Sequence, residues 1–269
     1  LLAAMYSGLV ANPLNLLCQS SQLRYIVEHS DTRMVFVSGE THEAMSGALA
    51  QLRAEGLTRP IALIRTEPDA VVASVPVCAE TALVEAADVS AAQRGAAERA
   101  TCTPSLTAWD SKALSDSETD ASDVALLMYT SGTTGAPKGV LLDHRNLLAN
   151  ARNISREHRL DTGDRVFAAL PLYHINGLVV TLLAPLFHGG SVVMAPRFSA
   201  RTYWRDVARH GCTWINVVPT IVAYLLNSDE ACTFDLSALR FCRSASAALP
   251  ADHHRAFEAR FGIGIIETM

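Results

Sequence analysis

Alternation between two periodicities constrains this chain more than any other feature. Short runs rich in Val, Ile and Leu, at 124–129, 165–169, 191–194, 213–218, 239–244 and 263–267, read as strands. Between them, 144–156, 177–187, 201–210, 220–226 and 251–261 carry helical spacing. Apolar strands separated by helices build a mostly parallel sheet with helices on both faces. The first part repeats the scheme on a smaller scale. A helix at 1–6 leads through Gly8 and Asn12-Pro13 to a helix at 22–28, which Ser20 or Ser21 is placed to cap. A strand at 34–37, a helix at 41–53 and a strand at 60–64 follow. The expected fold class is therefore α/β, with a first subdomain at 1–84 and a second at 124–269. Residues 85–123 are rich in Ala, Ser, Thr, Asp and Glu without a sustained apolar period, and read as a long polar surface connection.

Composition narrows the possible partners. Apolar residues make up 49% and charged residues 18%, the profile of a folded globular chain. A formal net charge of -5 gives no argument for nucleic acid or an anionic membrane, although a local basic site can still hold phosphates. The longest apolar runs, 1–5 and 177–187, are too short for a transmembrane segment, and no charged region precedes the first to make it a signal peptide. The six cysteines form no C-x-x-C pair and no zinc-finger spacing with histidine, so no metal site is expected. Scattered thiols point to a reducing, cytoplasmic setting. The chain starts within a helical run and stops just after a strand-like one, which sets the expectation of a part of a longer protein.

Residues 129–139 read Tyr-Thr-Ser-Gly-Thr-Thr-Gly-Ala-Pro-Lys-Gly and follow the apolar run 124–128. They gather three glycines, four hydroxyl side chains and one lysine, the types that polyphosphate binding needs. Glycines let backbone N–H groups approach the oxygens, hydroxyls donate to them, and lysine supplies a mobile point charge. The stretch is not a Walker A loop, because Pro137 precedes Lys138 and Gly139 follows it. A Gly-rich hairpin turn is the rival reading, and the full set of residue types argues against it.

This stretch resembles the signature loop of the adenylate-forming superfamily: acyl-CoA synthetases, luciferases and non-ribosomal peptide adenylation domains. The resemblance implies that Thr130, Ser131, Thr133, Thr134 and Lys138 hold the β- and γ-phosphates of ATP, with Gly132 and Gly135 supplying flexibility. Further stretches are similar to the family's later motifs. Leu-Pro-Leu-Tyr-His-Ile-Asn-Gly at 170–177 places His174 where the family lines its acyl tunnel, and with Lys138 it forms the implied catalytic pair. Thr-Trp-Ile-Asn-Val-Val-Pro-Thr at 213–220 resembles a pocket wall, with Val218, Pro219 and Thr220 as candidates and Trp214 as core. Arg-Ser-Ala-Ser-Ala-Ala-Leu-Pro at 243–250 resembles the small-residue turn facing adenine, which assigns Ser246, Ala247 and Ala248 to the nucleotide. Many relatives have glycines there, and taken alone the segment also reads as a plain strand-to-helix turn. Ile-Ile-Glu-Thr-Met at 265–269 resembles the next nucleotide motif, with Glu267 and Thr268 beside the base and Met269 in the stacking position.

The implied activity is that of an acyl-CoA synthetase. A carboxylic acid is joined to ATP, as acyl-AMP with loss of pyrophosphate, and then passes to CoA, with Mg²⁺ in attendance. The family's Mg²⁺-associated Thr-Glu pair, ribose-binding aspartate, hinge and C-terminal lysine domain are not among these residues. A fatty acyl-AMP ligase, a carrier-protein-loading domain and a non-catalytic nucleotide-binding fragment remain the alternatives. Ala-Pro-Arg-Phe-Ser-Ala-Arg-Thr-Tyr-Trp at 195–204 and Phe-Cys-Arg-Ser-Ala-Ser at 241–246 are most similar to the oxalate–CoA ligase branch. That branch tends to carry His-x-His-Gly, and this chain has Asn176 at the second histidine. A small dicarboxylate, an aryl acid and a fatty acid all stay open, and Arg197 and Arg201 also read as solvated charges at a helix start.

Overall fold

The computed structural model describes residues 1–15, 17–66, 119–130, 136–228 and 233–268. Most of the expected polar connection, the centre of the Gly-rich loop at 131–135, and Met269 lie outside the described residues. The chain divides into two units. One holds Leu1–Thr119 and Tyr129–Leu141, the other Asp120–Met128 and Leu142–Met269.

In the first unit, helix α1 (Leu2–Tyr6) and helix α2 (Ser20–His29) precede strand β1 (Met34–Ser38), helix α3 (Gly39–Ala54) and strand β2 (Ala62–Thr66). Strands β1 and β2 pair in parallel, with Val35 opposite Leu63. Period-2 alternation buries Val35 and Val37 against Leu23, Val27, Met45 and Leu49 of α2 and α3. Met34 and Phe36 point the other way and are exposed among the described residues. The expected serine cap on α2 does not form: Gln19 is the capping residue and its side chain makes no capping bond.

Strand β3 (Val124–Thr130) pairs with a strand that the periodicity did not suggest, β4 (Lys138–Asp143). So short a link between paired neighbours permits an antiparallel hairpin but no parallel crossover.

The second unit is built on five strands: β5 (Arg165–Ala168), β6 (Ser191–Met194), β7 (Trp214–Val217), β8 (Phe241–Ser244) and β9 (Ile265–Glu267). They are ordered β6-β5-β7-β8-β9, and every pairing is parallel. Helix α4 (His144–Glu157) starts on a reciprocal cap. Asp143 Oδ1 accepts from the Asn146 backbone N–H, and Asn146 Oδ1 accepts from that of Asp143. The helix expected over 177–187 is two elements, a π-helical segment (Asn176–Leu183) and helix α5 (Ala184–His188), which ends on Gly189 at φ 78°. Helices α6 (Tyr203–Arg209), α7 (Pro219–Leu226) and α8 (Ala251–Phe261) complete the unit.

Strand alternation divides this sheet's two faces. Ile215, Val217 and Cys242 enter a core with Tyr203, Trp204, Val207, Ile221, Val222 and Phe257 from α6, α7 and α8. Asn216 and Arg243, one position out of phase, face the π-helical segment. Asn216 and Arg243 are register partners on adjacent strands, and both are buried.

Candidate active site

Parallel strands deliver all their following loops to one edge of the sheet, and that edge is where open α/β sheets hold ligands. Here β5 is followed by 169–177, β6 by 195–201, β7 by Val218 and Pro219, β8 by 245–250, and β9 by Thr268. The loops after β5, β8 and β9 are tied together. Asn176 Nδ2 donates to Ser246 Oγ at 3.1 Å. Glu267 Oε1 accepts from the Leu249 N–H at 2.9 Å, and the Thr268 N–H donates to the Ser244 carbonyl at 2.9 Å. Ser246 holds φ at 76°, an uncommon value for a residue with a side chain. Ala247, Ala248 and Glu267 are exposed around this turn. A cavity of about 370 Å³ opens between the ends of β5 and β6, lined by Ala168, Leu170, Pro171 and Met194.

His174 sits in the turn that enters the π-helical segment. Its side chain is exposed and packs on Tyr173 with ring centroids 4.6 Å apart. Three residues on, Gly177 lies against the start of this loop. A Cβ at that position would stand 2.3 Å from the Pro171 carbonyl oxygen, so only glycine fits. Val218 caps α7 with Pro219 as its first residue, which suits a helix start. Arg197 and Arg201 are exposed, and Trp214 is fully buried.

Beneath the β5 and β8 loops lies a polar cluster that the sequence reading had not assembled. Arg243 Nη1 donates to Asn176 Oδ1 and to Asn216 Oδ1, both at 2.9 Å. Asn216 Nδ2 in turn donates to Asn176 Oδ1 at 3.1 Å. Arg243 is 7% exposed and Asn216 0%, so the guanidinium is almost wholly removed from water. Among the described residues it has no carboxylate partner, and its Nε is buried without a hydrogen bond. Burial lowers the Arg243 pKa to about 10, which leaves it protonated at neutral pH. The signal for this cluster was available in the sequence: Asn216 and Arg243 interrupt strands expected to be buried on both faces, where polar groups need partners.

Tyr129, the first residue of the Gly-rich stretch, is held within the first unit. Tyr129 Oη bonds to His29 Nδ1 at 2.8 Å, and His29 stacks on Tyr25 with centroids 5.1 Å apart. Burial, and then the neighbouring Tyr25, raises the Tyr129 pKa, so the phenol stays protonated. Thr130 and Lys138 are exposed where β3 ends and β4 begins, and Thr130 Oγ1 lies 3.5 Å from the Lys138 carbonyl. Ser131, Gly132, Thr133, Thr134 and Gly135 fall between them, outside the described residues.

A family model described as AMP-binding enzyme matches residues 1–269. The chain belongs to the AMP-binding enzyme family. Within this family, a sulfoacetate–CoA ligase from Cupriavidus necator is 55% identical over 269 residues, covering 100% of this chain and 46% of that protein. An oxalate–CoA ligase from Saccharomyces cerevisiae is 38% identical over 149 residues, 55% of this chain and 27% of that one. Among solved structures, ATP-bound MatB from Rhodopseudomonas palustris superposes with a TM-score of 0.69 at 26% identity, covering 99% of this chain and 45% of that chain. The AMP-binding chain described here thus spans less than half the length of these relatives.

Proposed function

We propose that the protein containing this chain is an AMP-forming acid–CoA ligase, and that its acid is short and carries a second anionic group. The observation that carries this reading is the 55% identity to a sulfoacetate–CoA ligase, sustained over the whole chain. In the first half-reaction a carboxylate oxygen attacks the α-phosphorus of ATP, the α–β phosphoanhydride bond breaks, and pyrophosphate leaves. In the second, the CoA sulfur attacks the acyl carbon, and AMP departs as a thioester forms.

The work of this chain is alignment and charge stabilisation. Lys138 and the hydroxyls of Thr130, Ser131, Thr133 and Thr134 neutralise and hold the β- and γ-phosphates. Gly132 and Gly135 let the backbone close on them. Ser246, Ala247, Ala248, Glu267, Thr268 and Met269 border the base, and His174 stands on the acid side. Among the described residues no group of three or more His, Cys, Asp or Glu is placed to hold a metal ion. When bound, Mg²⁺ would neutralise part of the charge of the triphosphate.

The test is made on the full-length protein. With sulfoacetate, ATP and CoA it should yield an acyl-CoA together with AMP and pyrophosphate. Acid-dependent ATP–pyrophosphate exchange that never yields a CoA thioester would instead favour an acyl-AMP ligase or a carrier-loading domain. An absence of exchange with every short acid tried would overturn the reading.

A further inference from the structure

The Arg243 cluster is built like half of an ion pair. A guanidinium taken out of water loses several kcal/mol of solvation unless an anion or a full set of acceptors replaces it. Arg243 is nine-tenths buried, yet its described partners are two neutral amide oxygens on one nitrogen, and its Nε has none. The two asparagines do something more specific than neutralise it. Asn176 is fixed by Ser246 and Asn216, and both asparagines turn their oxygens to the same Nη1. The guanidinium is held in one orientation while, among the described residues, no anion compensates its charge. That arrangement suits an anion arriving from outside the chain, and a planar fork suits one with two or more oxygens.

We infer that Arg243 selects the acid by pairing with its second anionic group, a sulfonate or a carboxylate, while the reacting carboxylate faces the nucleotide. This rests on the ligase reading above. It gives Asn176 a use: where the oxalate-ligase motif has a second histidine, this chain has an amide that accepts from Arg243 and donates to Ser246. It also accounts for polar side chains in the middle of two strands whose neighbours are apolar. The rival account is a purely structural clamp, in which Arg243 only bridges β7, β8 and the π-helical segment.

The experiment uses the full-length protein and acid-dependent pyrophosphate exchange with four acids. Sulfoacetate and malonate are dianionic, with a sulfonate and a carboxylate as the second group. Methylsulfonylacetate keeps the shape of sulfoacetate without the second charge, and propionate lacks it altogether. Arg243→Met should lower kcat/KM for the preferred dianionic acid about 100-fold, chiefly through KM, since a charge-assisted pair contributes that much. The methylsulfonylacetate value should change less than about threefold. Arg243→Lys, which keeps the charge and loses the fork, should retain part of the preference. Asn176→Asp supplies an internal carboxylate to Arg243, so it should keep the fold and still discard the dianionic acid. The larger loss, on sulfoacetate or on malonate, tells which anion the site fits. Equal losses for all four acids in Arg243→Met and Asn176→Asp would mean a structural clamp and overturn the inference. So would a wild type that shows no preference between sulfoacetate and methylsulfonylacetate, although adenylation itself would then stand. Failure of the wild type with every acid would instead sink the ligase reading.

Discussion

The link between β3 and β4 and the cluster around Arg243 assemble their chemistry in opposite ways. The first takes its glycines, hydroxyls and lysine from one unbroken stretch, 129–139. The second takes Asn176 from the π-helical segment, Asn216 from β7, Arg243 from β8 and Ser246 from the loop after it, joined only because parallel strands bring them to one edge. On the reading proposed above, the contrast follows from what each region would handle. A polyphosphate is the same in every reaction of this kind and can be met by a fixed local loop. An acid differs from enzyme to enzyme, and positions on several elements can be varied one at a time without disturbing that loop.

If the loop is the general part, damage to it should be large and blind to the acid. Lys138→Ala in the full-length protein should slow pyrophosphate exchange by about 100-fold or more, the scale of losing one cation that stabilises developing phosphate charge. The factor should be the same for sulfoacetate and propionate. An unchanged exchange rate would remove Lys138 from the site.

The turn that carries His174 depends on backbone fit as well as on polar groups. Gly177→Ala would drive a methyl into the Pro171 carbonyl, a contact between two backbone segments that cannot rotate away. Such overpacking costs about 3 kcal/mol, and the thermal midpoint should fall by about 5–10 °C. A midpoint within a degree of wild type would show that the turn relaxes freely and that the loop is less fixed than described.

His174→Ala should raise the KM for the acid about fivefold, the size of one modest lost contact, and leave the KM for ATP nearly unchanged. Equal shifts in both constants would move His174 from the acid side to a shared or structural role.

The smallest effect is electrostatic. Burial first, and then the nearby Arg243 charge, holds the His158 pKa below its ordinary value. Its folded pKa therefore lies under its unfolded one. The stability tied to the neutral ring is fully present above the unfolded value near 6.5 and is lost as pH falls through the folded value. Arg243→Met removes one of the two causes, so the His158 resonance should titrate at a higher pH than in wild type. No movement would mean that the Arg243 charge is already compensated by an anion of the protein itself.

The same contrast governs how much could be seen in advance. Sheet class, strand positions and the Gly-rich stretch are local properties of composition and period, and the sequence carried them. Strand β4 was hidden because Lys138-Gly-Val-Leu-Leu-Asp does not alternate between apolar and polar residues. The π-helical segment was hidden because an apolar run such as Asn-Gly-Leu-Val-Val-Thr-Leu-Leu has no polar face to report its pitch. The Arg243 cluster was hidden for a different reason. Each member was visible as a polar residue among apolar ones, but which of them meet depends on the strand order β5-β7-β8 and its register, properties that no single window contains.

The division of labour itself can be measured in a single experiment: exchange kinetics for Lys138→Ala and Arg243→Met side by side, over the same four acids and with ATP varied. The account predicts different profiles. Lys138→Ala should depress the rate by one common factor for every acid. Arg243→Met should spread the acids apart according to their second charge, with the KM for ATP within about threefold of wild type. Two variants with the same profile across the acids would contradict it.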